Sequence, residues 1–183
     1  MTDLVALPQE TRLAARQNLL KGAGWDQARA EPLAGDASLR SYQRLHRDSE
    51  TAVLMDAPPP QEDVRPFVAM ANWLKVKGLS APELYAVNAD AGYILLEDLG
   101  DGLYSSEMAS GADEARLYDA AVDVLAAWQQ HAPPEEFPPY DDDFLLLEVS
   151  YFFDWYLKQH LGQSVTDDQR SDFLGLWQTL LAG

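Results

Sequence analysis

Three histidines, His46, His131 and His160, and no cysteine are the stock from which imidazole, thiolate or transition-metal chemistry would have to be built in this 183-residue chain. Without cysteine there is no disulfide framework, no thiolate metal site and no cysteine nucleophile. The histidines are widely separated, and none sits in a pair at the HExxH spacing that puts two ligands on one helical face, so a zinc enzyme is not expected. Carboxylates are abundant, and Asp141 to Asp143 with Glu148 form a cluster able to attract a cationic acceptor. Tyr151, Trp155 and Tyr156 offer aromatic faces for a sugar ring, although the helical pattern favours a simpler reading of all these residues as a helix cap and a core stripe. The stretch Gly35-Asp36-Ala37-Ser38-Leu39-Arg40 combines a tight turn with polar donors, and taken alone it reads as a hairpin turn.

The formal net charge is −17, from 13 basic and 30 acidic residues. Such a field repels a phosphate backbone, and no basic stripe offsets it, so nucleic acid is not an expected partner. The same field repels ATP, so a nucleotide site here would need local arginines, backbone amides or Mg²⁺. With 47% apolar and 23% charged residues, the composition is that of a folded domain with a buried core. No run reaches the roughly 18 apolar residues of a membrane span, and the N-terminus lacks a basic segment followed by an apolar signal core. These features point to a cytoplasmic protein that does not engage a membrane.

The pattern of apolar residues orders the elements that must position any site. Residues 9–21 form a short amphipathic helix stopped at Gly22 and Gly24. Three strand-like segments follow, Ala28 to Leu33, Leu39 to His46 and Thr51 to Asp56, separated by Gly35-Asp36 and by the polar stretch Arg47 to Glu50. After Pro58-Pro59-Pro60, apolar residues at helical spacing predict a helix from Glu62 to Lys77. Glu83 to Val87 and Tyr93 to Glu97 read as two more strands, the second almost wholly apolar and therefore central. From Leu99-Gly100-Asp101-Gly102 onward the pattern is helical, with stripes through Leu117 to Trp128, Phe144 to Leu161 and Phe173 to Leu181.

Three motifs make this order specific: Gly35-Asp36-Ala37-Ser38-Leu39-Arg40-Ser41-Tyr42, Val53-Leu54-Met55-Asp56-Ala57-Pro58-Pro59, and Ile94-Leu95-Leu96-Glu97-Asp98-Leu99-Gly100. Together they resemble the aminoglycoside phosphotransferase and choline kinase superfamily. Within it the chain is most similar to the bacterial anomeric N-acetylmuramate and N-acetylglucosamine kinases, which also carry a stretch like Phe137 to Leu157. The resemblance implies an α+β, protein-kinase-like fold. A small lobe of about five antiparallel strands and one main helix would occupy residues 1–98, followed over 99–183 by helices of an incomplete large lobe. It implies ATP and Mg²⁺ as cofactors and a small-molecule acceptor such as an amino sugar. The turn from Gly35 to Tyr42 would lie over the phosphates, with Ser38 and Arg40 as donors. The backbone at Glu97 and Leu99 would read the adenine edge, with Met55 or Leu96 packed nearby.

The chain departs from the kinase pattern on its third strand, where Met55 stands in place of the phosphate-binding lysine. The usual pair between that lysine and a helix glutamate cannot be drawn. Arg40 or Arg44 is left to supply a cation, and Glu62 and Asp63 have no evident partner. His46-Arg47-Asp48 spells the start of a kinase catalytic loop, but Val53 occupies the asparagine position and the triplet precedes the adenine edge, so it is read as a strand end. Asp143-Phe144 lacks the glycine of the DFG motif.

After Gly102 there is no H-x-D loop followed by asparagine, the superfamily's source of base and metal ligands. The expectation is therefore a chain that is inactive by itself, with catalytic residues after Gly183 and with apolar helices whose exposure favours association. A rival reading is a kinase-like binding or scaffold protein that has lost the chemistry. A third is an unrelated α+β protein that docks a partner.

Overall fold

The computed structural model describes residues 6–34, 38–135 and 137–182. It divides into two compact units, Met1–Ala132 and Pro133–Gly183, each described by itself.

The first unit is built on one antiparallel sheet. Its strands are β1 (Arg29–Pro32), β2 (Ser41–Arg47), β3 (Glu50–Asp56), β4 (Leu84–Asn88) and β5 (Tyr93–Glu97), in the spatial order β1-β2-β3-β5-β4. The central pair, β3 and β5, is the most apolar, because both of its faces are covered. Alternate residues of β3 therefore enter different cores. Ala52 and Leu54 join Leu45, Tyr93 and Leu95 beneath the helix α1 (Gln9–Gly22), which contributes Leu19 and Leu20, with Trp25 just beyond it. Val53 and Met55 join Ile94, Leu96 and Val64 on the opposite face, against Phe67 and Val68 of the helix α2 (Arg65–Val76).

Helix α2 begins at Arg65, three residues later than its apolar spacing predicts. Glu62 and Asp63 lie outside it, and each has an arginine partner: Arg40 for Glu62 at 2.9 Å and Arg65 for Asp63 at 3.1 Å. This corrects the expectation that these acids lack partners. His46 and Arg47 close β2, and Asp48 enters the hairpin turn with φ 52°, as expected of a strand end. Gly92 turns the chain between β4 and β5 with φ 74°, where a Cβ would stand 1.9 Å from the Ala57 carbonyl oxygen. Beyond the sheet come α3 (Tyr104–Ala109) and α4 (Glu114–Trp128), the latter capped by Asp113 accepting from the Arg116 N–H.

In the second unit, α5 (Asp142–Tyr151) is capped by Asp141, which accepts from the Phe144 N–H at 3.0 Å. The chain then widens into a π-helical segment, Phe152–His160, before α6 (Asp167–Leu181), whose capping box joins Thr166 and Gln169. Phe153 is the buried anchor, set edge-on to Phe173 at 4.9 Å and covered by the Arg170 guanidinium. Tyr151, Trp155 and Tyr156 are 47%, 66% and 49% exposed, so the core stripe expected of them is not formed. The wider turn instead stacks Phe152, Tyr156 and His160 into an aromatic ladder. No helix among the described residues is long and apolar enough to cross a membrane.

Candidate functional site

The end of β5 and the joint after it are held by hydrogen bonds from β2 and from the segment before β4. Glu97 extends the pairing to the segment before β4: its N–H donates to the Glu83 carbonyl, and its carboxylate accepts from the Glu83 N–H at 3.0 Å. Asp98 then turns inward, its side chain only 6% exposed, which distinguishes it from the surface acid its sequence setting allows. Arg44 of β2 reaches across to it, with Nε donating to Oδ2 at 2.7 Å and Nη2 to Oδ1 at 3.1 Å. The same guanidinium donates to both carboxylate oxygens of Asp101, at 2.8 and 2.9 Å. One arginine thus ties the sheet to both ends of the Asp98 to Asp101 segment by the bidentate geometry that guanidinium and carboxylate share.

Burial pushes the Asp98 carboxyl upward, but the bonds from Arg44 and from the Gly100 N–H outweigh it and hold the group below the usual carboxylate range. Arg44 does the same for Asp101. Both aspartates are charged at neutral pH.

A cavity of about 390 Å³ opens beside this segment, within the range of small-ligand sites. Leu33, Val53 and Leu96 give it apolar walls, Glu97 to Asp101 form its edge, and Arg44 lines it. Among the described residues, neither the N–H nor the C=O of Leu99 has a protein partner. A larger cavity of about 510 Å³ lies beside Trp25, Arg47, Glu50, Thr51 and Tyr85.

Five of the six candidate residues are described, and two of them line the cavity. Glu97 and Leu99 line the cavity. Met55 does not; it is 1% exposed and belongs to the core facing α2. Ser38 and Arg40 lie on the approach to β2, where the Ser38 hydroxyl accepts from the Arg40 N–H at 3.2 Å. The Glu62 hydrogen bond raises the Arg40 guanidinium further above its usual range, so it is a fixed cation. Gly35 lies outside the described residues. Of the two arginines offered as replacements for the lysine, Arg44 is committed to two carboxylates and Arg40 to one.

Sequence reasoning missed Arg44 as the residue that organises the joint. Its only local signal was a charged residue facing inward on a strand, directly opposite Val53. Asp98 and Asp101 were visible as acids, but their common partner lies 54 and 57 residues away.

Comparison with known proteins adds an independent line. The phosphotransferase enzyme family (APH) matches residues 29–183. A Pseudomonas aeruginosa protein named N-acetylmuramate/N-acetylglucosamine kinase is 40% identical over 79% of this chain and 43% of its own length. Proteins of the same name from Caulobacter vibrioides and Pseudomonas putida are 41% and 35% identical, over 67% and 90% of this chain and 41% and 49% of theirs. The chain spans about half the length of the curated relatives it matches.

Proposed function

The chain belongs to the phosphotransferase enzyme family, and on that premise we propose that it is the nucleotide-binding part of an ATP-dependent kinase acting on a hydroxyl of an amino sugar. The observation that carries this reading is the cavity at the joint, with apolar walls from Leu33, Val53 and Leu96 and an unpartnered backbone edge at Leu99. A purine requires that combination: apolar surface for its faces and a backbone donor and acceptor for its edge. In this reading residues 1–98 form the nucleotide lobe, and 99–183 begin the lobe that receives the acceptor.

The backbone at Glu97 and Leu99 reads the base. Arg40, oriented by Glu62 at 2.9 Å, and Ser38 stand at the turn that covers the phosphates. ATP supplies the phosphoryl group that is transferred; this chain's residues bind the base, orient the phosphates and keep water from the apolar walls. Met55 is buried in the core, so the phosphate cation of this site is Arg40. Mg²⁺ accompanies ATP in phosphoryl transfer. Among the described residues no group of three or more histidines and carboxylates is placed to hold such an ion, and no step is assigned to one here.

The names of the relatives make N-acetylmuramate and N-acetylglucosamine the first acceptors to test. The full-length protein, given ATP, Mg²⁺ and either sugar, is expected to release ADP and a phosphorylated sugar, and to bind ADP in calorimetry. ADP binding without transfer to either sugar would favour the scaffold reading. Neither binding nor transfer would sink the proposal.

A further inference from the structure

Arg44 is chemically unusual in its place. A guanidinium is planar and carries five N–H donors, all in its plane. Four bonds to Asp98 and Asp101 occupy most of that edge. The pairing also sets one positive charge against two negative ones, so the cluster offers no net attraction to a phosphate. Yet Arg44 lines the cavity, and directly opposing residues on neighbouring strands share a face, so it stands on the same side of the sheet as Val53, another lining residue. What such a side chain has left to offer an occupant is its flat face and its aliphatic stem.

We propose that Arg44 is a base-stacking residue, its guanidinium held flat by Asp98 and Asp101 so that an aromatic base lies against it beside Val53. A guanidinium face over an aromatic ring gains both stacking and cation–π attraction, and the gain grows when water is excluded. Asp98 and Asp101 are positioning residues: they fix the plane of Arg44 and occupy its edge. The inference rests on the nucleotide reading above and deepens it, since it names the chemical class the wall selects, a flat heteroaromatic base.

The test begins with the full chain unaltered. On addition of ADP, the Arg44 Nε–H proton is expected to move upfield in the NMR spectrum, because a stacked ring shields a proton above its face. Arg44→Lys keeps the charge but not the plane. It is expected to weaken adenosine binding roughly tenfold, in line with the contribution of a stacked base, while leaving inorganic tripolyphosphate binding unchanged. If ADP binds and the Nε–H proton stays in place or moves downfield, or if Arg44→Lys binds adenosine as tightly as the unaltered protein, the stacking role is overturned and the nucleotide reading survives. If neither ADP nor adenosine binds the unaltered chain, the nucleotide reading falls and this inference falls with it.

Discussion

Arg40 Nε lies 2.9 Å from Glu62 Oε2, an ion pair that spans 22 residues of sequence and links the approach to β2 with the segment before α2. Glu62 also accepts from the Leu39 N–H. A cation on the approach to β2 is thereby fixed by a carboxylate ahead of the helix, where the proposed function places the phosphates. The third strand meanwhile lines the cavity with the apolar Val53, while Met55 is buried in the core.

Replacing Arg40 tests that arrangement. Arg40→Ala is expected to weaken Mg-ATP binding about tenfold, the loss of one charge-assisted hydrogen bond, and to leave adenosine binding unchanged. The partly exposed pair should contribute about 1 kcal/mol or less to folding. Calorimetry with the two ligands, beside denaturant unfolding, separates the effects. An equal loss for both ligands would show that Arg40 does not meet the phosphates.

Asp98 predicts a response to acid. Its carboxyl is held below the usual range in the folded protein, so the unfolded chain binds more protons at acidic pH and stability rises with pH through that window. The contribution is present above about pH 4, the ordinary aspartate value, and is lost as pH falls through the folded value. Unfolding followed from pH 5 downward should show a shallower loss of stability in Asp98→Asn, which starts less stable at pH 7. Parallel curves would remove Asp98 from the acid response.

Gly92 predicts a backbone effect. A side chain there would meet the carbonyl of Ala57, a residue held in place because its own N–H donates to the Gly92 carbonyl at 2.8 Å, and the φ of 74° is itself strained for any other residue. Gly92→Ala should destabilise the sheet by about 2 kcal/mol or more. The urea midpoint measures this, and a change under about 0.5 kcal/mol, the scale of an inert surface substitution, would contradict it.

The second unit offers a local prediction. Thr166 caps α6 and shares a capping box with Gln169. Thr166→Ala should cost about 1 kcal/mol and speed hydrogen exchange in the first turn of α6, leaving the protection of β3 and β5 unchanged. Exchange resolved by residue shows whether the effect is confined in this way.

The strands Tyr93–Glu97 and Glu50–Asp56 were legible because apolar runs broken by glycine, proline and polar turns are local signals. The helix after Pro58-Pro59-Pro60 was legible for the same reason, but its start was not: Glu62 looks like a first-turn acid until Arg40 engages it from the approach to β2. Phe144 to Leu161 read as one helix, yet it widens at Phe152, where aromatic rings stack along one side. Leu99 lines the cavity just past the end of β5, where a central strand followed by a glycine joint has few ways to run.

The sequence by itself determined the order of the elements, the apolar central strands and the motifs that mark the phosphotransferase family, because periodicity and turn chemistry act over a few residues. Only the tertiary structure decided which charges meet. Arg44 finds Asp98 and Asp101 across 54 and 57 residues, and Met55 is drawn into the core. The reason is that cross-strand register sets which side chains share a face, and that register is fixed by the sheet as a whole.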